Sequence, residues 1–334
     1  MKVAWRKALI LAVCLTVLAA TVLCYVGVRR AQNPTEPTTF IKWVEFNVPY
    51  EALEKALALD IKSRDEPPHM PWIDTLAYLA SKYWGEFSRY HARDIDGYAA
   101  AIREGKSVQE LTQKLKQYNY FHEAYTAVLG GFVDDFQIQT GPDKEYQIKY
   151  GLKAFYPIAK GYSVARYADF GNSRSYGYAR THQGNDLMGS VGIPIVAVEG
   201  GTIEALGWNQ YGGWRIGIRT ADKKRYYYYA HLRRNHPYAP DLQEGMVVQA
   251  GDVIGYMGMT GYSPVENTNN ISTPHLHIGL QLIFDESQKD GANQIWIDPY
   301  NLISLLSANK SAVEKTQDGK DYRRVYQIRE SDIS

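Results

Sequence analysis

Thr202-Ile203-Glu204-Ala205-Leu206, Arg215-Ile216-Gly217-Ile218-Arg219 and Arg225-Tyr226-Tyr227-Tyr228-Tyr229-Ala230-His231 are three short runs rich in Ile and Tyr. Such residues favour the pleated, half-buried surface of a strand. Between them stand turn-forming stretches, Asn209-Gln210-Tyr211-Gly212-Gly213 and Ala221-Asp222-Lys223-Lys224. Runs of the same kind recur at 193–198, 253–257 and 275–283, with no helical period between them. Closely spaced strands joined by turns predict an antiparallel sheet or sandwich from about residue 154 onward. Strand alternation predicts Tyr227, Tyr229 and His231 on one face. Were that face to line a cleft, the tyrosine hydroxyls could meet a developing oxyanion, although packing with a polar tip is the commoner role.

The same region carries an ordered set of histidines. His182-Gln183-Gly184-Asn185-Asp186 places a His and an Asp four residues apart around Gly and Asn, the composition of a loop or strand end that can turn both toward one point. His275 and His277 project together from a strand while Leu276 faces the opposite layer. His231, in Tyr229-Ala230-His231-Leu232, lies between the two segments. Neutral imidazole and carboxylate are usual zinc ligands, and a catalytic zinc keeps three protein ligands with one open position. Two His and one Asp meet that count and leave imidazoles over for proton transfer.

Each motif alone is more often a hydrogen-bonded histidine than a ligand. Together, with Gly255-Tyr256-Met257-Gly258-Met259-Thr260-Gly261 upstream of His275, residues 167–283 resemble the lysostaphin-type, LytM-like zinc metallopeptidases of the M23 family, which hydrolyse peptide bonds in bacterial peptidoglycan. That resemblance implies one Zn²⁺ per chain held by His182, Asp186 and His277, with His231 and His275 as catalytic histidines that do not bind the metal. It also implies a β-sheet hydrolase domain with a groove across the sheet. The segments Gly192-Ile193-Pro194-Ile195-Val196-Ala197-Val198 and Gly251-Asp252-Val253-Ile254-Gly255 are similar to the family's as well. Two features depart from the pattern: residues 262–271 are inserted, which predicts an addition at the cleft rim, and Gly279 stands where an acid is common.

Elsewhere the chain reads differently. Residues 8–28 are uncharged and mainly apolar, long enough to span a hydrocarbon core of about 30 Å as a helix, and no A-x-A-like cleavage site follows. A retained transmembrane anchor contacting membrane lipid is expected, with residues 1–30 as cytoplasmic stub and anchor and 31–39 as a Pro- and Thr-rich linker. Cys14 and Cys24, the only cysteines, lie inside the apolar run, so the remainder has no disulfide and no thiol nucleophile. Helical spacing of Ala52, Leu53, Ala56 and Leu57, a proline before 72–80, a capping box at Ser107-Val108-Gln109-Glu110 and an aromatic run at 121–133 predict an all-helical spacer domain over 40–150. Its acids Glu86, Asp94, Asp96 and Asp135 read as solvated faces and caps rather than a second hydrolase, and His69, His91 and His122 as structural.

The expected fold class is therefore α+β: an N-terminal transmembrane helix, an all-helical spacer, then an antiparallel β-sheet metallopeptidase domain over 151–306, with a charged, solvated tail at 307–334. The expected function is that of a zinc metalloendopeptidase at the cell membrane, single-pass with its C-terminal domains extracytoplasmic, hydrolysing peptide cross-links or stem peptides of peptidoglycan. The alternative is a catalytically inactive scaffold or cell-wall binding protein in wall remodelling. Lys and Arg number 37 against 36 Asp and Glu, a balance that gives no electrostatic footprint for nucleic acid.

Overall fold

The structure, a computed structural model, describes residues 40–141 and 144–330. The expected transmembrane helix at 8–28 and the linker at 31–39 lie outside the described residues; among those described, no helix is long and apolar enough to cross a membrane.

Five helices come first: α1 (Tyr50–Ser63), α2 (Trp72–Tyr83), α3 (Ala92–Arg103), α4 (Val108–Thr112) and α5 (Tyr118–Leu129). All but α3, which the sequence signals do not single out, fall at or beside the helical signals of the sequence. Helix α1 buries Ala52, Leu53, Ala56 and Leu57 on one face, and α2 buries Trp72, Leu76, Leu79 and Ala80. The Ser107–Glu110 capping box is formed and opens α4, which ends at Thr112. Three acids of this region, Asp94, Asp96 and Asp135, hold basic partners: Asp96 pairs with Lys55 at 2.6 Å, Asp135 with Arg64 at 2.8 Å and Asp94 with Lys82 at 2.5 Å. His69 and His122 bond Asp60 and Asp74 at 2.8 and 2.9 Å, which gives both imidazoles structural partners.

The all-helical expectation for 40–150 holds only to Leu129. The chain then enters strands β1 (Val133–Gln139) and β2 (Gln147–Leu152), an antiparallel pair. The strands that follow are β3 (Ala165–Arg166), β4 (Ser173–Tyr176), β5 (Tyr178–Thr181), β6 (Asn185–Met188), β7 (Pro194–Val196), β8 (Gly201–Asn209), β9 (Gly213–Thr220), β10 (Arg225–Ala230), β11 (Val247–Val248), β12 (Val253–Tyr256), β13 (His275–Leu282) and β14 (Ile295–Ile297). The main sheet has eight strands, ordered β11-β8-β9-β10-β13-β6-β3, with β14 against the far half of β13. All its pairings are antiparallel. An antiparallel sheet domain with a helical N-terminal region is thus what the chain forms.

Nor does the helical part stand apart as a spacer. Residues from Ile41 onward form one compact unit. One continuous core joins Leu53, Leu76, Tyr125 and Val128 of the helices to Tyr227, Tyr229, Ile278 and Leu280 of the sheet, and to Leu302 and Leu306 of helix α6 (Tyr300–Leu306). Polar ties cross the same junction. The buried Arg225 of β10 donates to Glu199 at 2.8 Å and to the Ala127 carbonyl of α5 at 2.8 Å, and Asn301 donates to the Val48 carbonyl at 3.0 Å. The helices cover the back of the sheet, and its other face is left to the cleft.

Residues 307–330 also differ from a solvated tail. They contribute β15 (Val313–Lys315), β16 (Tyr322–Arg324) and β17 (Gln327–Arg329), the last paired with β1. Ile328, 3% exposed, packs with Phe136 and Phe155. The charges that suggest a tail are partnered: Arg324 meets Asp252 at 3.0 Å, and Glu330 meets Lys153 at 3.1 Å with both side chains almost wholly buried. Few apolar residues suffice because the strands extend an edge already built. Glu330→Ala should therefore destabilise the protein by about 3 kcal/mol, the order found when one partner of a buried ion pair is removed. The measure is the urea midpoint at constant m-value, and a midpoint equal to wild type would return the segment to the status of a tail.

Candidate metal centre

The register between β6 and β13 sets the site. Asp186 stands directly opposite His277, and Leu187 opposite Leu276, which points into the core and is fully buried. His275 and His277 therefore share the other face, as alternation requires. His182 precedes β6 and reaches the same point through the Gln183-Gly184 turn. His182 Nε2 lies 3.1 Å from Asp186 Oδ1 and 2.8 Å from His277 Nδ1, and His277 Nδ1 lies 3.2 Å from the same oxygen. One ligand atom from each residue falls within 4.8 Å of the others. Two imidazole nitrogens and one carboxylate oxygen, with the fourth direction open to the cleft, are a donor set that fits a catalytic zinc.

Gly184 is required by this convergence. A Cβ there would sit 2.4 Å from the Ile278 carbonyl oxygen and 2.7 to 2.8 Å from ring atoms of His277. Gly184→Ala should displace the His277 imidazole and weaken zinc binding by about tenfold or more, the range for loss of ligand orientation. Competition titration against a chromophoric chelator measures it; wild-type affinity in this variant would mean the ring has room to spare.

A second layer orients the triad. His182 Nδ1 lies 3.0 Å from both the Asp169 carbonyl oxygen and Arg174 Nη2; donation to the carbonyl, which can only accept, is the tautomer that turns the Nε2 lone pair to the centre. Arg174 donates to Asp169 Oδ2 at 2.6 Å and to Asp186 Oδ2 at 3.2 Å, leaving Asp186 Oδ1 to the imidazoles. Burial alone would raise the Asp186 carboxyl, but hydrogen bonds from His182 and His277 hold it well below the usual carboxylate range. Burial likewise pushes His277 below 6.5, toward the neutral, ligating form.

His231 and His275 stand beside the triad. Their rings are 4.7 Å apart, and His275 Nε2 is 3.8 Å from Asp186 Oδ1. His231 Nδ1 donates to the Thr260 carbonyl at 2.9 Å and His275 Nδ1 to that of Thr273 at 2.8 Å. Both Nε2 atoms are thereby left with free lone pairs. Burial, then the charges of His275 and His277, push His231 well below 6.5. Strand alternation misplaces this residue. Tyr227 and Tyr229 face the core, where Tyr227 bonds Glu199 and Tyr229 accepts from the Val198 amide at 2.9 Å. Strand β10 ends at Ala230, and His231 adopts φ 63°, a left-handed conformation that turns its side chain to the cleft instead. The tyrosines of β10 that line the cleft are Tyr226 and Tyr228, joined there by Tyr211 and Tyr262.

The cleft has a volume of about 380 Å³. One wall is the β4–β5 hairpin, in which Tyr176 stacks on Tyr262 at 5.1 Å and Arg180 lies 4.9 and 5.0 Å from the Tyr211 and Tyr262 rings. Of the inserted segment 262–271, Tyr262 lines the cleft; Asn267 within it accepts from the Trp214 indole at 2.9 Å. Trp296 forms part of the opposite side and accounts for Gly279, where a Cβ would come within 2.7 Å of the Trp296 ring and of the Gln183 carbonyl. Sequence reasoning does not single out Asp169, Arg174, Arg180 or Trp296. The symmetric Ser173-Arg174-Ser175-Tyr176-Gly177-Tyr178-Ala179-Arg180 pattern around a turn glycine was the available signal for the hairpin, and it sets Arg174 opposite Arg180.

Comparison with known proteins places the site in context. The family model for Peptidase family M23 matches residues 180–293. The chain is 37% identical over 145 residues to an L-Ala–D-Glu endopeptidase of Bacillus subtilis, covering 43% of this chain and 40% of the relative. It is 34% identical over 151 residues to the glycyl-glycine endopeptidase ALE-1 of Staphylococcus capitis, covering 42% of this chain and 36% of that one. The chain thus spans well under half the length of these curated relatives. Its fold is similar to a Ruminococcus gnavus crystal structure described as a glycyl-glycine endopeptidase, lytM, with a TM-score of 0.50 at 21% identity, over 85% of this chain and 96% of that one.

Proposed function

We propose that the protein, whose residues 180–293 match the family model for Peptidase family M23, is a zinc endopeptidase that hydrolyses peptide bonds of bacterial peptidoglycan, in cross-links or stem peptides. The observation that carries this reading is the meeting of His182 Nε2, Asp186 Oδ1 and His277 Nδ1 beside two imidazoles whose Nε2 atoms are free. His182, Asp186 and His277 hold the metal, with Asp169 and Arg174 keeping the ligands oriented. A bound zinc supplies Lewis acidity toward the scissile carbonyl and toward water.

The proton traffic falls to His231 and His275. Each is pinned at Nδ1 by a carbonyl, so each accepts a proton at Nε2 and, once protonated, donates there to the oxyanion or the departing amine. Water adds across the amide, leaving one carboxyl and one amino group. An anchored, single-pass arrangement at the cell membrane, supported by the apolar run at 8–28 and by an extracytoplasmic substrate, completes the proposal.

Full-length protein incubated with purified sacculi should release new amino termini. Phenanthroline should stop the release, and added zinc should restore it. Release that ignores the chelator would overturn the metal's role, and binding without any release would leave a scaffold.

A further inference from the structure

Most of the arginines that this fold buries or half-buries have an acceptor. Arg174, Arg219, Arg225 and Arg324 hold carboxylates, and Arg233 donates to the His236 carbonyl while lying over the Tyr256 ring. Arg180 and Arg215 form no ion pair among the described residues, and one nitrogen of each, Nη1 of Arg180 and Nε of Arg215, is buried without a hydrogen-bond partner. Both line the cleft.

Their placement sharpens the point. Arg180 faces Arg174 across the hairpin, a like-charge pair that is unfavourable unless each charge is answered. Asp169 and Asp186 answer Arg174. Arg180 instead lies over the Tyr211 and Tyr262 rings, which limit the movement of its guanidinium, and it lines the cleft. Arg215 projects from β9. Burial raises the Tyr228 hydroxyl, and the Asn209 amide that donates to it at 3.0 Å, then the charges of Arg215 and Arg180, pull it back; the Tyr228 ring lies 5.8 Å from that of His277. Both arginines line the same cleft as the triad. The carboxylates lining the cleft are Asp186, which belongs to the triad, and Asp290, which pairs with neither arginine. Guanidinium forks held this way match the geometry of a carboxylate.

We infer that Arg180 and Arg215 form a carboxylate subsite, taking an acidic residue of the substrate peptide beside the scissile bond, so that an acidic stem peptide is preferred over a neutral oligoglycine bridge. The inference rests on the peptide-hydrolase reading of the same cleft.

The test pairs enzyme and substrate changes on full-length, zinc-loaded protein. A stem peptide containing D-glutamate with a free α-carboxylate is compared with its carboxamide and with pentaglycine, reading kcat/KM by chromatography. Wild type should favour the carboxylate over the carboxamide by roughly tenfold or more, the range of a charge-assisted hydrogen bond. Arg180→Gln and Arg215→Gln should each reduce that ratio through KM, and the double variant should bring it near one. Arg→Lys at each position should recover part of it. Zinc content and thermal midpoint check folding, and if a Gln variant unfolds, the Lys variants carry the comparison. Calorimetric binding of the carboxylate peptide to zinc-free protein gives a readout independent of turnover. Equal wild-type rates on the two stem peptides, or a full preference kept by the double variant, would overturn the subsite. Failure of wild type to cleave either peptide or sacculi, with tight and arginine-dependent binding intact, would count against the hydrolase reading and uphold the subsite.

Discussion

His182→Ala should strip the protein of zinc. The wild-type chain should carry about one ion, as a three-ligand site with an open fourth position does, and the variant close to none after dialysis, as read by atomic absorption. Two reasons make the effect large. His182 supplies one of only two imidazole nitrogens among the three donors. It also lies 3.1 Å from Asp186 Oδ1, so its removal takes a direct partner from that residue, which keeps Arg174 and Asp169. Hydrolysis should fall by about a thousandfold or more, since the residual catalysis would lack the Lewis acid altogether. Zinc should also cease to raise the melting temperature, because an ion that binds only the native state stabilises by mass action. A variant that keeps its zinc and its turnover would dissolve the proposed centre.

His231→Ala should give the complementary result: zinc content near wild type, with turnover lower by about 10² to 10⁴, the range for loss of a positioned acid–base group. The metal should stay because His231 lies outside the converging donor set and is anchored separately, by its ring to Thr260 and by its amide to the Gly212 carbonyl at 2.7 Å. Alanine at φ 63° would still sit in the left-handed region, so the backbone has no new strain to release. Peptide release at the wild-type rate would remove His231 from the chemistry and shift the burden to His275. Read together, the two variants separate holding the ion from using it.

How much of this could be read without coordinates depended on the range of the interaction. Alternation in β13 places His275 and His277 together and Leu276 inward because it is a property of the local backbone. The same rule fails at His231, where a single left-handed residue after Ala230 reverses the side chain's direction; nothing in Tyr229-Ala230-His231-Leu232 announces that conformation. Helices α1 and α2 are visible from their spacing, yet their merging with the sheet depends on pairs distant in sequence, such as Arg225 with the Ala127 carbonyl. The segment 307–330 misleads for a related reason. Charge density predicts solvation only when partners are lacking, and Asp252 and Lys153, which supply them, lie far upstream. Arg180 and Trp296 stay hidden because their roles depend on rings and backbone brought alongside by other loops.

The shared interior of helices and sheet has a consequence for how this protein can be cut or recombined. Excising residues 151–306 as a free-standing catalyst would lay bare the side of the sheet that Leu53, Leu76, Tyr125 and Val128 now shield, and strip Arg225 of its Ala127 acceptor. Such a fragment should precipitate or recruit its own chaperone, and grafting a foreign targeting module in place of the helices should fare no better. Fusions that respect this architecture keep the unit from Ile41 onward whole.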